Sequence, residues 1–134
     1  MKKLLALLAA SSITTVMSAG AAMAQSYPAS VVGTWTIVAN NTQAFTFTVQ
    51  SQSSDSPCAQ ITGVIGAPND GLAGYYCPAT GAVSFLRNSS NTGATFQVYN
   101  GQLSFAGTET YLTGSFTNYG GNNTGAFSFS AQLP

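Results

Sequence analysis

Histidine is absent from this chain, and lysine occurs only at Lys2 and Lys3. Past residue 24 the single basic side chain is Arg87, set against Asp55, Asp70 and Glu109, so one positive and three negative groups leave a net charge of −2. Without histidine or an internal lysine, neither a Ser-His-Asp nor a Ser-Lys arrangement can form within one chain. Acid–base chemistry would fall to the three carboxylates. Asp55 lies in the Ser-rich run Ser51 to Pro57, Asp70 in Asn69-Asp70-Gly71, and Glu109 in Gly107-Thr108-Glu109-Thr110. All three stretches read as turns, where such residues serve the backbone and face water. The chain is therefore expected to have no catalytic residue and not to be an enzyme. One arginine cannot neutralise a phosphate backbone, which excludes nucleic acid and an anionic membrane surface as partners. Transition-metal ligands are missing, and an oxygen site at Asn69 and Asp70 has no calcium-loop spacing to support it. No metal and no cofactor are expected. Helical periodicity is also missing beyond the first 24 residues.

What is present begins with a leader. Lys2 and Lys3 form a positive start, Leu4 to Ala10 is unbroken and apolar, and Ala22-Met23-Ala24 offers a small-x-small cleavage pattern. Residues 1–24 read as a bacterial-type signal peptide, cut before Gln25. Ser11, Ser12, Thr14 and Thr15 interrupt the run short of the ~20 apolar residues that span a bilayer. The reading is of an exported protein, periplasmic or extracellular. Cys58 and Cys77 are the two cysteines, and in an oxidising compartment such a pair is expected to form a disulfide. Residues 25–30 read as a flexible lead-in and residues 31–134 as one domain.

Alternation of period two dominates that domain. Phe45, Phe47 and Val49 alternate with Thr46, Thr48 and Gln50. Trp35 and Ile37 share one parity, as do Val83 and Phe85, Leu112 and Phe116, and Phe127 and Phe129. This pattern predicts strands with one buried and one wet face. Asn40-Asn41, Asn69-Asp70-Gly71, Pro78 to Gly81 and Asn100-Gly101 punctuate the runs as turn formers. Asn100-Gly101 in particular predicts a two-residue hairpin that splits 94–99 from 102–107. Eight or nine short strands joined in sequence predict an all-β antiparallel meander, closed as an up-and-down barrel or folded as a β-sandwich. Trp35, Phe47, Ile61, Phe85, Phe105, Phe116 and Phe129 are the expected core. The strands are short and their second face is Thr, Ser and Gln, so a membrane-spanning barrel is not expected.

Gly33-Thr34-Trp35 at the head of the first strand, followed by a meander, resembles the G-x-W opening of the avidins and lipocalins, the calycin type of barrel. Phe45 to Val49 and Ile61-Thr62-Gly63 echo the second and third strands, and the length suits the avidin type. The resemblance implies a closed barrel with Trp35 as a structural plug at one end. It does not imply biotin binding, because Trp35 is the single tryptophan, and no basic residue in Ala126 to Pro134 could cover it.

Two functional classes remain. The first is an exported, non-catalytic binding module for a small apolar ligand or a glycan. The alternative is a structural or adhesive protein that self-associates as a homo-oligomer or binds polysaccharide through an uncharged Thr, Ser, Asn and Tyr face.

Overall fold

The computed structural model describes residues 26–89, 96–120 and 123–134, so the leader, Gln25 and part of two loops lie outside the described residues. Eight antiparallel strands follow one another in order: β1 (Gly33–Ala39), β2 (Gln43–Gln52), β3 (Ala59–Ile65), β4 (Asp70–Cys77), β5 (Ala82–Asn88), β6 (Phe96–Ala106), β7 (Glu109–Asn118) and β8 (Gly125–Leu133). Each pairs with the next, and Thr36–Ala39 of β1 pairs with Phe129–Gln132 of β8 to close the barrel. Among the described residues no helix is long and apolar enough to cross a membrane.

Closure is compatible with the sequence pattern but is set by the β1–β8 pairing. A meander of strands with one apolar face must turn that face inward, and pairing first to last removes the unpaired edges an open sheet would expose. The inward residues are those of the expected parity. Trp35, Phe47, Ile61, Phe85, Phe116 and Phe129 are all buried, joined by Ile37, Tyr76, Tyr99, Leu103 and Leu112. Aromatic rings run in contact through the interior. Trp35 stacks on Phe47 at 5.6 Å, Phe47 meets Phe85 at 5.4 Å, and Phe85 stacks on Tyr99 at 4.7 Å. Tyr99 then stacks on Phe116 at 4.8 Å, and Phe116 meets Phe127 at 5.3 Å. An eight-stranded barrel is just wide enough for side chains to fill, and this spine fills it from one end to the other.

The lower end carries the β2–β3, β4–β5 and β6–β7 connections. There the Trp35 indole donates to the Val31 carbonyl at 3.1 Å, so the buried indole N–H is satisfied. Tyr76 donates to the Pro28 carbonyl at 2.5 Å, and Gln52 bonds both Ala29 and Val31. These bonds tie the described part of the lead-in across the barrel end. Cys58 and Cys77 are disulfide-bonded at the same end, beside the β3–β4 pair.

Three sequence expectations are corrected. Asn100-Gly101 is not a turn: both residues lie inside β6 with no positive φ. Asn100 accepts a hydrogen bond from the Ser84 hydroxyl at 2.7 Å, and Gly101 pairs with Val83 and Gly114. A Cβ at Gly101 would come within 2.8 Å of Leu112 and 3.0 Å of Phe129, so glycine is there for close packing. The hairpin instead closes at Gly107-Thr108, with Gly107 at φ 65° and Ala106 paired to Glu109. Phe105 is half-buried rather than buried. The β6–β7 hairpin runs past the start of β5, and the Tyr27 ring, 5.8 Å away, takes the place of a strand neighbour. Finally, Asp70 is not a solvated turn residue. The turn is Gly66 to Asn69, closed by Asn69 N–H to the Gly66 carbonyl at 3.0 Å, and Asp70 is the first residue of β4, opposite Ile65 and turned inward.

Candidate functional site

The upper end of the barrel gathers the C-terminal ends of β1, β3, β5 and β7 with the start of their partners. Parity points Phe45, Asp70, Arg87, Gln97 and Tyr99 toward the interior there. Asp70 is 4% exposed and Arg87 17%. The Arg87 Nε and Nη2 both lie 2.7 Å from Asp70 Oδ2, a charge-assisted fork on one oxygen. The guanidinium also sits 5.7 Å above the Phe45 ring. Its Nη1 donates to Gln97 Oε1 at 3.4 Å, and the Tyr99 hydroxyl donates to the same oxygen at 2.9 Å. Burial raises the Tyr99 pKa, with Arg87 opposing the shift in part, so this hydroxyl keeps its proton.

That network fixes how Gln97 faces outward. Arginine has donors only, so the carboxamide oxygen must turn toward it and the Nε2 amide toward the mouth. Around that amide the barrel opens into a cup of about 120 Å³, lined by Asn40, Gln43, Gln97, Phe116, Asn118, Asn123 and Phe127. Asn118 Nδ2 donates to the Asn123 carbonyl at 2.8 Å, which draws the two ends of the β7–β8 loop together over the rim. Asn40 N–H donates to the Ser128 carbonyl at 2.8 Å and seats the β1–β2 turn beside it. The floor is the top of the aromatic spine. Taken together, the cup offers five carboxamides and two phenyl rings, with its nearest cation neutralised from behind by Asp70.

The remaining sequence candidates lie elsewhere. Asp55 is in the β2–β3 loop, where its carboxylate accepts from Ser53 Oγ at 2.8 Å, and Glu109 accepts from the Tyr111 hydroxyl at the base of β7. These two are at the lower end on opposite sides of the barrel, and Asp70 is at the upper end, so the fold does not bring the carboxylates together. Among the described residues no group of three or more His, Cys, Asp or Glu side chains could hold a metal ion. Trp35 lies at the opposite end from the cup, buried, with its indole N–H bonded to the Val31 carbonyl. Sequence reasoning missed Arg87 and Gln97 as a unit. Their parity with Phe85 and Tyr99 was the available signal, since period-two alternation puts all four on the inner face.

No protein-family model matches the chain, and no curated protein is significantly similar to it in sequence.

Proposed function

We propose that the protein is an exported, non-catalytic binding module that takes a small neutral ligand, or the end of a glycan, in the cup at the upper mouth. The observation that carries this reading is the lining. Five carboxamides offer both donors and acceptors, the Phe116 and Phe127 rings add apolar surface, and among the described residues no ionisable side chain lines the cup. Carboxamides pair with hydroxyl and carbonyl groups without demanding a charge, and apolar ring surface suits the C–H groups of a sugar. A charged ligand would lose its hydration with no counter-ion to replace it. At about 120 Å³ the cup falls well below the ~300–1,000 Å³ of drug-sized pockets, so it suits one terminal group and not a drug-sized molecule. The stacked interior supports placing the ligand at the mouth instead of deep in the barrel. Export is supported by the leader-like N-terminal sequence and by the disulfide.

The test is a titration of the exported protein with neutral mono- and oligosaccharides, beside charged analogues, followed by side-chain amide NMR shifts. Saturable shifts at Gln43, Gln97 and Asn118, weakened several-fold in Gln43→Ala, are the expected result. Absence of saturable shifts with any neutral glycan, or shifts confined to other faces, would refute the reading.

A further inference from the structure

The outer face of the barrel is divided by chemistry. On β7, β8, β1 and β2 the outward pairs include Thr34–Thr48, Thr36–Thr46, Thr113–Ser130 and Ser115–Ser128, a wall mostly of hydroxyls with Val38 toward its upper end. On β3 to β6 the outward row reads Thr62, Ala73, Leu86 and Val98 across four adjacent strands. Tyr75 stands below that row, 51% exposed, and Phe96 above it, 42% exposed, with Leu86 between them at 40%. Two shallow grooves of about 370 and 420 Å³ meet at Ala73 and Leu86, where the small side chain leaves a trough between the ridges. Contiguous apolar surface of this kind marks an interaction face.

We infer that this face of β3 to β6, centred on Ala73 and Leu86, is where a second copy of the same chain docks. Three features select that occupant. First, the barrel is closed, so two copies cannot join by adding strand to strand and must meet through a face. Second, the face carries no charge: among the described charged residues Asp70 and Arg87 satisfy each other inside, while Asp55 and Glu109 lie at the lower end. A charged partner would be desolvated there without compensation, whereas an identical face brings no charge to strand and no like charge to repel. Third, the patch holds both a ridge and a trough, so a two-fold axis can set Tyr75 or Leu86 of each copy into the Ala73 trough of the other.

The area available is small. Four strands at ~4.8 Å spacing and about six residues at ~3.4 Å rise cover roughly 400 Å² per copy, or about 800 Å² for the pair. That lies below the ~1,200 Å² at which stable complexes begin, so the dimer is a weak, reversible one. The inference is independent of what the mouth binds.

Sedimentation equilibrium of the exported protein from about 5 to about 500 µM tests it. The wild type is expected to pass from monomer to dimer across that range. Leu86→Lys, outward and free of core contacts, should weaken association at least about tenfold by placing two ammonium groups in one uncharged contact. Thr113→Lys, on the hydroxyl wall, should leave it unchanged. Tyr75→Lys repeats the test should Leu86→Lys alter the fold as judged by Trp35 fluorescence. A wild type that stays monomeric throughout would overturn the inference. So would an oligomer that Thr113→Lys disrupts while Leu86→Lys and Tyr75→Lys do not.

Discussion

Removing Arg87 while leaving Asp70 in place is the sharpest perturbation of this barrel. In Arg87→Met the aliphatic stem is kept, but the Asp70 carboxylate, 4% exposed, loses both nitrogens at 2.7 Å. Gln97 loses its Nη1 donor and Phe45 its cation. Breaking a fully buried pair from one side costs about 3–5 kcal/mol, because the stranded charge has neither water nor partner. The partial exposure of Arg87 places this case at the lower bound, about 3 kcal/mol. At about 4 °C per kcal/mol for a domain of this size, that is a drop of about 12 °C in melting temperature. Asp70→Asn should cost less, about 2 kcal/mol, since the guanidinium left behind is 17% exposed and still reaches Gln97. Removing both charges together, in Asp70→Asn/Arg87→Met, leaves no stranded ion and should cost no more than about 2 kcal/mol, so the two changes couple by about 3 kcal/mol. Urea unfolding followed by the fluorescence of Trp35, the one tryptophan, measures all three variants in a single assay. Additive single-mutant losses, or an Arg87→Met cost under about 1 kcal/mol, would refute the claim that this pair is an internal strut of the mouth.

A glycine comparison separates close packing from backbone freedom. A Cβ at Gly114 would lie 2.0 Å from the Asn100 carbonyl oxygen, whereas one at Gly107 meets nothing within 4 Å but sits at φ 65°. Gly114→Ala should therefore destabilise by about 3 kcal/mol or more and Gly107→Ala by only about 1 kcal/mol, read from urea midpoints. Reducing Cys58–Cys77, which spans 19 residues, should lower stability by roughly 3 kcal/mol in the chain-entropy model, and free-thiol titration before reduction should find none. Burial first, and Tyr27 second, push the Tyr76 pKa from 10.0 up to about 12. Between those values the unfolded chain has lost this proton and the folded chain has kept it, so the contribution is intact below about pH 10 and is lost as the pH rises toward about 12. Thermal melts across that window should show a decline that Tyr76→Phe makes shallower, and an unchanged slope would refute the assignment.

The sequence by itself determined the class of the fold and most of its core. Alternation is a local property: Phe45-Thr46-Phe47-Thr48-Val49 has an apolar side whatever it packs against, so strands, their inward parity and six of seven expected core residues were readable residue by residue. The scarcity of charge was equally plain, as was the pairing of two cysteines in a chain with a leader-like start. Closure was decided only in three dimensions, because the β1–β8 pairing joins residues almost the whole domain apart and no local signal marks it. Local turn chemistry also misled where tertiary packing outweighed it. Asn100-Gly101 has the makeup of a type I′ turn, yet the fit of Gly101 against Leu112 and Phe129 and the Ser84 bond to Asn100 hold it in a straight strand. Asp70 shows the same limit for function. Its neighbours Asn69 and Gly71 suggest water, but the turn ends one residue earlier, and a shift of one residue reverses the face on which a strand side chain lies. Only the register across β3, β4 and β5 could bring Asp70 to Arg87, and only barrel curvature could gather Gln97, Asn118 and Asn40 around one opening, since each comes from a different strand or turn and depends on the others for its position.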